Sequence, residues 1–176
     1  PPVYFILLWL WRKISAAVFF ARMFSLISVA WAAFYFFKSA RLISGTETSK
    51  WLVILFLLNP FTLFAALEIR LYAFLLFLSA MGFYYYLNYY ITGAKKSLLA
   101  FAFICLLALY TQYFFAFLIA GLVFATLVFK GWKPAFTAAL YVLPAVLLFM
   151  PNVFLMDDQL GMVQSQKEAI SISGRM

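Results

Sequence analysis

The chain has 176 residues, 68% of them hydrophobic and 10% charged, with a mean hydropathy of +1.05, whereas an ordinary soluble domain is about 45–50% apolar and about 25% charged. A soluble fold of this length cannot hide so much apolar surface, so lipid has to cover its outer faces and the chain reads as all-α and polytopic. The formal charge of +8 would raise nucleic-acid binding in a soluble protein. Here the basic residues stand between apolar runs, where membrane topology accounts for them, and no nucleic-acid partner is expected.

The opening Pro1-Pro2 carries neither an initiator methionine nor the charged n-region of a signal peptide, so the chain reads as an internal part of a larger membrane domain, truncated at both ends. Residues 2–11 are too short to span; Trp9 and Trp11, followed by Arg12-Lys13, suit an N-terminal helix lying at the membrane interface. Residues 15–37 are long enough for a span. Lys38, Arg41 and Lys50 then flank a polar stretch, Ser44 to Ser49, that reads as an exposed loop.

From Trp51 to Met156 the apolar sequence is broken at intervals by two alternating kinds of residue. One kind is basic, Gly93-Ala94-Lys95-Lys96 and Lys130-Gly131-Trp132-Lys133-Pro134; the other is polar or acidic, Glu68-Ile69-Arg70, Thr111-Gln112-Tyr113 and Asp157-Asp158-Gln159. The breaks predict further spans at 51–67, 71–91, 97–112, 114–129 and 135–152, about six in all with 15–37. The positive-inside rule assigns the lysine-rich breaks to the cytoplasm and the Glu68, Gln112 and Asp157 breaks to the other face; Arg12 and Lys13 run against this assignment. Residues 1–156 therefore read as the transmembrane helical domain and 157–176 as the start of a non-cytoplasmic loop, with Asp157 and Asp158 solvated at its entrance. Tyr84, Tyr85, Tyr86, Tyr89 and Tyr90, gathered before Lys95, read as a cytoplasmic aromatic belt.

Chemistry has few places to reside. Histidine is absent, and the single cysteine, Cys105, lies inside an apolar run, so neither a metal site nor a cofactor is expected. Glu68 and Arg70 are opposite charges close together at membrane depth, where ionisable groups are expensive. On a continuous helix Glu68 would face Tyr72 at i+4 and not Arg70 at i+2. Arg70 could address an anion while Glu68 and Tyr72 line one wall; a water-exposed hairpin apex with a weak ion pair is the plain alternative. Arg22 stands deep in the first span, suited to a lipid phosphate or to snorkelling. Gln112, between Tyr110 and Tyr113, can hold a hydroxyl-rich ligand or cap its turn.

The order of these pieces resembles the GT-C class of polytopic glycosyltransferases, specifically the bacterial glycosyltransferase-39 group related to protein mannosyltransferases. The counterparts are Pro1-Pro2-Val3-Tyr4, Ala21-Arg22-Met23-Phe24-Ser25, Asn59-Pro60 with Glu68-Ile69-Arg70-Leu71-Tyr72, and Tyr110-Thr111-Gln112-Tyr113, covering residues 1–155. Where that group tends to carry histidine in the fourth motif, this chain has Gln112. The resemblance implies transfer of a sugar from a polyprenyl-phosphate donor to a lipid or polymer acceptor on the outer face of a bacterial inner membrane. The catalytic carboxylate would lie in a loop upstream of Pro1. It also implies that Pro2, Arg22, Glu68, Arg70 and Gln112 surround one outward cavity, with Tyr72 and Tyr113 beside them. A transporter or channel with a charged path between helices, and a structural membrane subunit, are the competing classes.

Overall fold

Three glycines hold positive φ angles: Gly45 at 78°, Gly93 at 71° and Gly131 at 85°. A residue without Cβ adopts this region freely, and each of the three ends one helix and allows the next to begin within one or two residues. The computed structural model describes residues 2–173, with side chains described over 2–152. It is all-helical among the described residues: α1 (Pro2–Arg12), α2 (Val18–Ser44), α3 (Thr46–Leu58), α4 (Pro60–Leu67), α5 (Leu71–Thr92), α6 (Lys95–Thr111), α7 (Phe115–Lys130) and α8 (Trp132–Ser173).

The number of spans falls below the expected six. Three helices are long and apolar enough to cross a membrane, over Val18–Ser44, Leu71–Thr92 and Trp132–Asn152, or four if the bent pair α3 and α4 counts as one span. With 17 and 16 residues, α6 and α7 are short, since about 20 residues at about 1.5 Å each match the hydrocarbon thickness. The expected loop over Ser44–Ser49 also contracts, to Gly45 alone. Ser44 closes α2, and Thr46 opens α3 with Glu47 in its first turn, 2.7 Å from Lys50 one turn on. Acidic groups favour a helix N-terminus, which is why this polar stretch is helical.

The span expected over 51–67 is broken. Pro60 offers no N–H to the helix and forces Asn59 into extended backbone (φ −62°, ψ 129°), so α3 stops at Leu58. The Asn59 side chain then accepts from the Phe61 N–H at 2.9 Å, capping α4, which leaves at 60° to α3. Pro144 and Pro151 stay inside α8, which continues as helical backbone through the segment read as a loop from residue 157. The side chains of Asp157 and Asp158 lie outside the described residues.

The centre of the bundle is α5, packed between α2 and α6. Phe74, Leu78 and Tyr86 of α5 are buried with Leu98, Phe101 and Ile104 of α6. Gly82 lets the two backbones approach: a Cβ there would stand 3.4 Å from Ile104 and 3.7 Å from Phe101. Large exposed side chains such as Phe61, Phe117 and Phe129 face outward, as lipid contact requires.

Contacts sort the helix ends into two groups. At the basic end Lys38 stands 4.4 Å over the Tyr84 ring, Lys130 donates to the Tyr90 carbonyl, and the Tyr89 hydroxyl donates to the Pro134 carbonyl at 3.1 Å. At the other end Ser25 donates to the Glu68 carbonyl at 2.7 Å, and Tyr110 to the Leu148 carbonyl at 2.8 Å. The lysine-rich turns thus lie together, opposite the Glu68 and Gln112 turns, as the alternation of breaks implied.

Candidate functional site

The second end of the bundle gathers the ionisable corner. At the end of α4 the chain leaves the helix at Glu68 (φ −91°, ψ 144°), bends, and is extended at Arg70 (φ −134°, ψ 164°) before α5 begins. The Glu68 carbonyl, no longer committed to a helical ladder, accepts the buried Ser25 hydroxyl from α2. Leaving the helix undoes the expected facing relation, because the i, i+4 rule holds only on a continuous helix and this segment is bent. Glu68 therefore meets Arg70, Nε to Oε2 at 3.0 Å, and the helical pairing of Glu68 with Tyr72 does not form.

The ion pair is one of charge more than of hydrogen bonding. Although the two atoms are 3.0 Å apart, the Arg70 N–H is not aimed along the line, and Glu68 Oε2 is buried with no hydrogen-bond donor. Arg70 remains largely exposed, its side chain at 63%, and makes no hydrogen bond among the described residues, which frees its terminal nitrogens. It lines a cavity of about 410 Å³ with Tyr72, Thr62 and the apolar walls of Phe61, Phe64 and Leu76. That cavity owes its shape to the bend at Asn59-Pro60, which swings α4 over the start of α5.

A second buried polar atom without a partner is the Tyr4 hydroxyl. Tyr4 is 2% exposed and packs against Phe24 and Phe74, at ring separations of 6.1 and 6.5 Å. Burial pushes its phenol pKa up, so the group stays a neutral donor. Tyr4 touches α2 at Phe24, and the Glu68 carbonyl touches it at Ser25.

The expected convergence is met only in part. Arg70 and Tyr72 share the cavity and Glu68 touches Arg70, but Arg22 and Pro2 are exposed elsewhere, and neither Gln112 nor Tyr113 lines the cavity. Gln112 closes α6 through its backbone N–H, 2.7 Å from the Ala108 carbonyl, and the Tyr113 ring lies tilted against Phe114, centres 4.2 Å apart. Gln112 acts here as a turn residue. The cause is topological, since α6 is separated from α4 by α5. Ser25, which no charge argument singles out, holds the Glu68 carbonyl at the site; its only signal was membership of the second motif.

No group of histidine, cysteine or carboxylate side chains able to hold a metal occurs among the described residues. No family model, curated protein or solved structure matches the chain.

Proposed function

We propose that the chain is part of a membrane glycosyltransferase that takes a sugar from a polyprenyl-phosphate donor and passes it to a lipid or polymer acceptor on the non-cytoplasmic face. The observation that carries this reading is Arg70, its terminal nitrogens free, at the rim of a cavity whose remaining wall is largely apolar. A polyprenyl phosphate has the complementary form, an anionic head on a hydrocarbon tail. A guanidinium fork suits phosphate oxygens, and its fixed charge would stabilise the phosphate as it leaves. Tyr72 and Thr62, which line the same cavity, supply hydroxyls that can both donate to and accept from a sugar. Proton removal from the acceptor hydroxyl falls to a carboxylate upstream of Pro1. Position supports a transferase over a transporter, because the charges stand at one end of the bundle and not at its middle.

The test is binding of polyprenyl phosphate to the purified full-length protein, with transfer of labelled sugar as the second readout. Arg70→Ala is expected to weaken binding about ten- to a hundred-fold, as loss of charge-assisted hydrogen bonds of about 1.5–3 kcal/mol implies. Arg70→Lys should recover part of it. Unchanged affinity in Arg70→Ala would overturn the assignment.

A further inference from the structure

At the basic end, where α5 turns into α6 and α7 into α8, the structure encloses a second cavity of about 330 Å³, lined by Lys95, Lys130 and Lys133 together with Tyr89, Thr126 and Thr137. Three lysines line this space and, among the described residues, no carboxylate does. The two acidic side chains described are committed elsewhere: Glu47 pairs with Lys50, and Glu68 with Arg70 at the opposite end. Topology alone places lysines in cytoplasmic turns, but does not require three of them to face one concavity.

The lining divides by chemistry. Lys130 is half-committed, donating to the Tyr90 carbonyl and standing 4.2 Å over the Tyr90 ring, so it caps the carbonyl end of α5. Lys95 and Lys133 donate no hydrogen bond among the described residues. The hydroxyl protons are spent: Tyr89 gives its own to Pro134, and Thr137 to Lys133, both backbone carbonyls. The hydroxyl oxygens therefore act as acceptors, while the ammonium groups supply positive charge and donors. A ligand matching both needs phosphate oxygens for the lysines and hydroxyls of its own for the tyrosine and threonine.

Phe129 and Trp132, adjoining the cavity in sequence, are 77% and 69% exposed. Large aromatic side chains turned outward beside a basic turn mark the headgroup level of a bilayer, which places the cavity within reach of lipid phosphates and favours them over a solute. We infer that this cavity is a binding site for the phosphodiester headgroup of an anionic phospholipid bearing headgroup hydroxyls, held by Lys95 and Lys133 and roofed by Lys130. It is separate from the Arg70 cavity, at the other end of the bundle, and stands independently of the transferase reading.

The experiment compares lipid retention by the full chain in nanodiscs, using phosphatidylcholine alone and phosphatidylcholine mixed with phosphatidylglycerol, with native mass spectrometry to count bound lipid. The double variant K95Q/K133Q should lose affinity for phosphatidylglycerol by roughly ten- to thirty-fold, as two lysines near an anionic headgroup imply. K95R/K133R should retain it. K38Q/K50Q, which removes the same charge at the same end but outside the cavity, should retain it as well. Equal loss in K38Q/K50Q would reduce the effect to general surface charge and overturn the site. Full displacement of the lipid by inorganic phosphate at constant ionic strength would equally overturn it, by identifying a free anion as the occupant.

Discussion

Tyr86 shows how a single polar group is managed in an apolar bundle. Its hydroxyl lies 2.6 Å from Thr126 Oγ1 and 2.9 Å from the Leu122 carbonyl, and Thr126 itself donates to that carbonyl at 3.1 Å. Every atom of this trio keeps a partner when one contact is removed. Tyr86→Phe should consequently cost only about 0.5–1.5 kcal/mol, measured by reversible unfolding in mixed detergent. Glu68 and Tyr4 are the opposite case, each with a buried polar atom unmet. A site that leaves such atoms unpaired carries its cost until a ligand arrives, which is the residue-scale reason to look for function there and not at Tyr86.

Helix packing turns on Gly82, where α5 and α6 approach most closely in side-chain terms. A methyl group is accommodated at 3.4 Å from Ile104, so Gly82→Ala should leave stability within about 1 kcal/mol of the parent. Gly82→Leu must displace the fully buried Phe101 and is expected to cost about 1–3 kcal/mol or more in the same unfolding measurement. Much of this scale was legible in the chain: Pro60 and the alternating breaks locate the helix ends, because proline and charge act locally. The break from Glu68 to Arg70 was legible as a position, from its charges, but its geometry was not, for the freed Glu68 carbonyl is taken by Ser25, 43 residues away. The extent of α3 into the polar stretch was missed for a related reason. A local ion pair between Glu47 and Lys50 favours helix where composition suggests loop.

Across the whole molecule, charge alternation along the chain becomes separation in space, with lysine-rich turns at one end and the Arg70 corner at the other. Lysines read as topology alone converge as neighbours only once α5 to α8 have packed, so their cavity could not be seen in sequence order. The orientation that the positive-inside rule proposes is measurable, because the single native cysteine, Cys105, is fully buried and will not react with a bulky, membrane-impermeant maleimide. Tyr113→Cys, exposed near the Gln112 turn, should label from outside intact cells, whereas Thr92→Cys, exposed at the basic end, should label only after permeabilisation. Labelling of Thr92→Cys from outside, with Tyr113→Cys protected until permeabilisation, would reverse the proposed assignment of the Arg70 cavity to the non-cytoplasmic face.

The glycine turns also bear on the order of events during synthesis. Gly45, Gly93 and Gly131 separate their helices by one or two residues, so the chain leaves the ribosome as three helical hairpins with lysines at or flanking their tips. The polar tips and the apolar arms favour opposite environments, so the two arms of a hairpin enter a bilayer most readily together. The second hairpin, led by α5, finds α2 of the first already in place as its principal neighbour. The lysine cavity, built from the second and third hairpins, can form only once both are present.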